Sequence, residues 1–110
     1  MSNNIQLIVF PVKDLAKAKI FYNEFLGVEP YVDGAWYVGY KVGDIEVGLD
    51  PNGKAVVSYI NSDDIEASIA TMKAVGAEVV MDSKDVGGGL MVAQVKDIDG
   101  NIVGFRQQPK

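Results

Sequence analysis

The chain says one thing twice, and that duplication limits its fold more than any other feature. "IQLIVFPV" (5–12) is apolar and β-branched, as a strand should be, and a helix opens at Asp14 and runs to about Leu26, where Gly27 stops it. Short strands follow at about 30–33, 35–42 and 45–50, divided by "DG" (33–34) and "GD" (43–44). After the turn "DPNGK" (50–54) the order restarts with the strand "AVVSYINS" (55–62). A second helix begins under a Ser62 or Asp63 cap and stops at Gly76. "AEVVMDS" (77–83), "LMVAQVKD" (90–97) and "NIVGFRQ" (101–107) then read as three more strands. The order is βαβββ, twice.

The two copies register residue by residue. Asp14 falls on Asp64, Leu15 on Ile65 and Leu7 on Val57, and "VGL" (47–49) falls on "VGF" (103–105). Gly48 and Gly104 therefore hold the same place in two copies of one unit. Glycine weakens a strand interior and marks a bulge, a bend or a close approach. Helical spacing predicts one packed face made of Leu15, Ala18, Phe21, Tyr22, Phe25 and Leu26, and another made of Ile65, Ile69, Met72 and Val75. A unit of about fifty residues buries too little to be stable alone, so the copies should pair, within the chain or between chains.

The 110 residues are read as a single domain (1–110) with modules at 4–50 and 54–108 joined by the 50–54 turn. Hydrophobic residues make up 48% and charged residues 23%, an ordinary globular balance. Cysteine is absent, which removes disulfides and thiolate chemistry. Histidine is absent too, which removes the usual base near neutral pH, the commonest nitrogen ligand for metals and any Ser–His or Cys–His relay. A net charge of −5 argues against tracking nucleic-acid phosphates. No apolar run approaches the roughly 20 residues of a membrane span. "MSNNIQ" lacks the basic and apolar regions of a signal peptide, so a cytoplasmic location is expected.

"IVFPVKDLAKAKIFYNEFLG" resembles the opening strand and helix of the vicinal oxygen chelate superfamily, and "VAQVKDIDGNIVGFRQ" resembles its closing hairpin. That superfamily holds glyoxalase I, extradiol dioxygenases, fosfomycin-resistance enzymes and bleomycin-resistance proteins. The resemblance covers about residues 5–108 and implies an α+β fold, with two βαβββ modules forming curved mixed sheets around a cleft. It also implies four metal positions, one in the first and one in the last strand of each module, typically His or Glu. Here they fall on Leu7, Gly48, Val57 and Gly104. None of the four has a donor side chain, so no metal is expected at the family site. Glu46 shares the face of Gly48 but has no partner ligand opposite.

Alternation along the strands puts Ile5, Leu7, Val9 and Pro11 on the cleft face, and Ile8, Phe10 and Val12 against the helix. Val57, Tyr59 and Asn61 take the cleft face in the second module, with Gly48, Asp50, Gly104 and Arg106 as floor and rim. The strand "AWYVGYKV" offers either Trp36, Val38 and Tyr40 or Tyr37 and Lys41. The expected ligand site is Leu7, Val9, Trp36, Gly48, Asp50, Val57, Tyr59, Asn61, Gly104 and Arg106: apolar, aromatic-edged and sparsely polar. No catalytic residue and no cofactor is assigned, although Tyr59 and Arg106 could serve as an acid and an oxyanion partner. "DIDGN" (97–101) echoes a calcium loop but reads as a hairpin turn, and "GGG" (87–89) reads as a hairpin tip.

Three functions compete. The leading expectation is a metal-free protein that binds a small apolar or aromatic molecule, including a cationic one. It follows the bleomycin-resistance branch, which is acidic, dimeric and sequesters a cationic aromatic drug without chemistry. The alternative is a glyoxalase-like lyase, isomerase or dioxygenase using a non-standard or substrate-borne metal. The third is an interaction module with a closed pocket. A homodimer is expected in each case, with no nucleic-acid or membrane partner.

Overall fold

A computed structural model describes residues 4–109; the first three residues of "MSNNIQ" lie outside them. Gln6–Val57 forms one compact unit, and the chain from Ser58 onward, with Ile5, forms the other. The first holds β1 (Ile5–Pro11), α1 (Leu15–Leu26), β2 (Val32–Asp33), β3 (Val38–Val42) and β4 (Ile45–Asp50). Its strands run in the order β2-β3-β4-β1. β1 pairs parallel to β4, and the other neighbours are antiparallel. The second holds β5 (Val57–Asn61), α2 (Ile65–Ala74), β6 (Glu78–Asp85), β7 (Met91–Lys96) and β8 (Ile102–Gln107) in the order β5-β8-β7-β6. There β5 pairs parallel to β8. β1 and β5 each belong to the unit that holds all but their first residue. Each unit is βαβββ, a mixed sheet with one helix, and the fold is α+β.

The helices start and stop where local chemistry dictates. The carboxylates of Asp14 and Asp64 accept from the amides of Lys17 and Ala67, each 3.1 Å away, satisfying a donor that a first turn leaves orphaned. The second helix is therefore capped by Asp64, one residue beyond Asp63 and two beyond Ser62, the caps that the pattern suggests. Ser62 accepts from the Asp64 amide instead and shares a 2.7 Å bond with Ser68. Gly27, at the cap of α1, and Gly76, one residue past the Val75 cap of α2, both take positive φ, a backbone shape that L side chains resist.

One helix and one sheet face make each core. In the first unit Val38, Tyr40, Val47 and Leu49 are buried, with Phe10, Val12, Leu15, Ala18, Tyr22 and Leu26 packed against them. In the second, Ile65, Ile69, Ala93, Val95 and Phe105 are buried. The Tyr40 hydroxyl donates to Asn23 Oδ1 at 2.7 Å. Its pKa is pushed up, first by burial and then by the Asp33 and Glu29 carboxylates, so it stays a protonated donor.

Three residues depart from the expected packing. Phe21 and Phe25 are 61% and 72% exposed, and Val75 is 71% exposed. On α1 the packed stripe is Leu15, Ala18, Tyr22 and Leu26. Each phenylalanine stands one position, about 100°, around the helix from it. Val75 lies just past the end of α2, at its cap, and no longer follows the helical period. β3 also starts later than the pattern suggests, because a Gly34 N–H···O=C Tyr37 bond of 3.0 Å closes the turn before it.

The two glycine-rich connections are hairpin loops. Asp85 accepts from the amides of Gly87 and Gly89 between β6 and β7. Asp97 accepts from the amides of Asp99 and Asn101 and from the Asn101 side chain between β7 and β8. These bonds, the Asn101 side chain's first, hold the Asp97 carboxyl below its ordinary pKa. A depressed pKa stabilises the fold above the unfolded value of about 3.9, and that stabilisation is lost as pH falls through the lower folded value. We expect an NMR titration to place Asp97 below the ordinary aspartate value, and Asn101→Ala to move it upward. A midpoint unchanged by Asn101→Ala would contradict this account of the turn.

Candidate functional site

In each unit the sheet face turned away from its helix carries the residues of interest. In the first unit, register places Leu7 beside Glu46 and Val9 beside Gly48. Lys41 pairs with Glu46 and Gly39 with Gly48. Val38 and Tyr40 belong to the helix-facing core, so Tyr37, Gly39 and Lys41 take the opposite face. The open choice of phase is thereby resolved toward Tyr37 and Lys41.

Tyr37 lies over Gly48. A Cβ built on Gly48 would stand 2.6 Å from Tyr37 Cζ and closer still to its hydroxyl oxygen. Gly39 is covered as well: its Cβ would meet the Tyr31 and Tyr37 rings at 3.3 Å. The Tyr31 hydroxyl donates to the Glu46 carboxylate, and Lys41 Nζ sits 4.8 Å from the Tyr31 ring centroid. Two tyrosines, a lysine and a glutamate thus cluster over bare backbone, which glycine alone leaves low enough for a ring to settle on.

The second unit repeats the device. Tyr59, Gly104 and Gln94 stand in one row across β5, β8 and β7, and Asn61, Arg106 and Val92 in the next. A Cβ on Gly104 would overlap Cδ1 and Cε1 of Tyr59 and stand 3.0 Å from the Ala93 carbonyl oxygen. Gln94 Nε2 donates to the Tyr59 hydroxyl at 2.8 Å, and Arg106 Nε donates to Asn61 Oδ1 at 3.3 Å. Tyr59 and Arg106 are both buried. At the strand ends, Asn61, Ser62, Asp63, Arg106 and the segment 107–109 line an open cavity of about 420 Å³.

The other expected site residues fall as follows. Leu7 and Val57 are buried apolar side chains. Asp50 Oδ1 accepts from the Asn52 amide at 2.8 Å, so this carboxylate is engaged in its own turn. Trp36 is 74% exposed and precedes β3. Tyr31, Gly39 and Gln94 join these faces without having been marked in the sequence. Their signal is the pairing of Gly39 with Gly48 and of Gln94 with Gly104, which appears only once register is known.

The metal that the resemblance implies does not fit these residues. Leu7, Gly48, Val57 and Gly104 supply no donor, and tyrosine rings fill the space above both glycines. Among the described residues no three of His, Cys, Asp and Glu gather closely enough to hold an ion. The sequence profile of the Glyoxalase/Bleomycin resistance protein/Dioxygenase superfamily matches residues 4–105. The chain belongs to that superfamily. No curated protein sequence matches it.

Several solved structures share the fold at low identity. A superfamily member from Vibrio splendidus is 19% identical with a TM-score of 0.72, covering 96% of this chain and 100% of its own. A methylmalonyl-CoA epimerase from Streptomyces coelicolor is 16% identical at 0.71, covering 96% and 97%. A Mn(II)-bound glyoxalase from Novosphingobium aromaticivorans is 20% identical at 0.71, covering 94% of this chain and 38% of its own. Among the described residues of this glyoxalase-superfamily chain, no helix is long and apolar enough to cross a membrane.

Proposed function

We propose that this chain is a metal-free small-molecule-binding protein that holds an apolar or aromatic ligand against the helix-free sheet faces. One observation carries the proposal: at both glycine positions, where the resemblance calls for metal ligands, a tyrosine ring occupies the volume a ligating side chain would need. The faces offer aromatic surface with a few polar groups: Tyr31, Tyr37, Lys41 and Glu46 in one unit, Tyr59, Gln94, Asn61 and Arg106 in the other. Apolar walls with sparse orienting groups suit a small organic ligand, and the net charge of −5 favours a cationic one. The protein acts in the cytoplasm as a homodimer.

The fold shared with an epimerase and a glyoxalase supports a second reading, an enzyme. Its chemistry would fall to Tyr59 as a proton donor and Arg106 as its anion-stabilising neighbour.

A thermal-shift panel on dialysed protein separates the two. It holds zinc, nickel and manganese, glutathione conjugates, catechols and cationic aromatic antibiotics. A ligand at a hundred times its Kd adds about 2.7 kcal/mol, which moves the midpoint of such a domain by several degrees. We expect a shift with an organic member and none with a metal. A metal shift, or turnover of a hemithioacetal or catechol that Tyr59→Phe abolishes, would favour the enzyme instead.

A further inference from the structure

α1 presents an outer stripe that nothing in its own unit covers. Ile20, Phe21 and Phe25 are 73%, 61% and 72% exposed, with Val28 just past the helix end and Lys17 and Glu24 on the same side. The rings do not wave freely. Phe21 and Phe25 stack at 6.1 Å and both meet Tyr22 edge-on, at 5.0 and 6.3 Å. Tyr22 in turn stacks on Phe10 at 5.4 Å, so the aromatic chain runs from core to surface. Rings held this way lose little freedom when a partner lands on them.

The charges on this stripe are placed against their own helix. The first turn of α1 has no acidic residue and the last has no basic one. Lys17 stands near the positive end of the helix dipole and Glu24 near the negative end, the reverse of the favourable arrangement. α2 follows the ordinary rule, with Glu66 in its first turn and Lys73 in its last. The misplacement on α1 becomes complementary when an identical helix lies antiparallel beside it. Lys17 then meets the partner's Glu24 and the acceptor end of the other helix, and Glu24 meets the partner's Lys17 and the donor end.

We infer that this stripe is the contact face of a homodimer in which two α1 helices pack antiparallel about a two-fold axis passing between Ile20 and Phe21. Such an axis sets position 17 against 24 and 20 against 21, a self-complementary interface of the kind two-fold symmetry requires. Each phenylalanine carries roughly 150–250 Å² of contact surface. With Ile20 and Val28 the rings supply the apolar centre of an interface of about 800 Å² per partner, and the charges supply its rim. The inference rests on the homodimer proposed above and assigns its face.

The test is sedimentation equilibrium over a concentration series for the native chain, Phe21→Glu, Lys17→Glu, Glu24→Lys and the double variant Lys17→Glu/Glu24→Lys. These side chains are exposed, and circular dichroism checks that each variant folds. The native chain should be a dimer. Phe21→Glu should raise the dimer Kd about 100-fold or more, as loss of a central aromatic anchor does. Each charge reversal alone should raise it roughly 10-fold, counted over two symmetric pairs, and the double reversal should return it to within a few-fold of native. A native dimer whose Kd is indifferent to Phe21→Glu, or a double reversal no better than its parents, overturns the face while leaving dimerisation standing. A native monomer overturns both. An organic-ligand shift that persists in the Phe21→Glu protein keeps the binding proposal separate from either outcome.

Discussion

Gly104→Ala should cost about 3 kcal/mol of stability, the upper part of the overpacking range, whereas Gly48→Ala should cost less than about 1 kcal/mol. Neither glycine has a positive φ, so the difference is steric rather than conformational. At Gly104 the new methyl overlaps the body of the Tyr59 ring and crowds the Ala93 carbonyl at 3.0 Å. Tyr59 is 7% exposed and tied through its hydroxyl to Gln94, and the carbonyl belongs to the β7–β8 ladder. Neither can move cheaply. At Gly48 the methyl meets only the hydroxyl end of Tyr37, with Cζ at 2.6 Å and Cε1 at 2.9 Å. Tyr37 is only half-buried and sits just ahead of β3, so the hydroxyl end of its side chain gives way by a small shift that leaves the ring over the glycine.

Thermal melts should therefore show a loss of roughly 10–15 °C for Gly104→Ala and only a few degrees for Gly48→Ala. Equal losses would mean that the body of the Tyr59 ring yields as readily as the hydroxyl end of Tyr37, and the account of a fixed Tyr59 ring would be wrong. The consequence reaches function. A glutamate introduced at Gly104, where the resemblance places a metal ligand, meets the same clash at its Cβ before its carboxylate can reach any ion.

Much of this was legible in the residues, because the signals that carried it are local. The period-two and period-3.6 stretches mark strands and helices. Asp14, Asp64, Gly27 and Gly76 mark helix ends through bonds that span at most five residues. The repeat marks Gly48 and Gly104 as equivalent bare positions. What lies over them is a matter of register. Tyr37 covers Gly48 only because β3 pairs with Gly39 opposite Gly48, and a slip of one residue would have presented Trp36 and Val38 instead. Local patterns do not contain that choice. The outward turn of Phe21 and Phe25 was hidden for a different reason. A stripe of six helix residues reads as one apolar face, and which of them meet the sheet is settled by tertiary packing, which covers Leu15, Ala18, Tyr22 and Leu26 and leaves Phe21 and Phe25 outside.

Tyr59→Ala should be as costly as any single change in the chain, about 4 kcal/mol, in the range for deleting a buried aromatic side chain. Ordinarily a neighbouring side chain relaxes into part of such a void. Gly104 has none to offer, and Gln94 loses its hydroxyl partner at the same time. Tyr59→Phe keeps the ring and should cost only about 1 kcal/mol, the worth of one hydrogen bond. The decisive variant is Gly104→Val, measured in both backgrounds by urea melts. In the native chain it should destabilise at least as much as Gly104→Ala, because it adds two methyl groups to a space already full. In Tyr59→Ala it should stabilise, since valine suits a strand and now fills the space the ring left. A reversal of sign corresponds to a coupling of about 3 kcal/mol or more, at the top of the range for residues in direct contact. If Gly104→Val costs the same in both backgrounds, the ring is not what keeps position 104 bare. The tyrosine-filled sheet face, on which the metal-free proposal stands, would then have lost its physical basis.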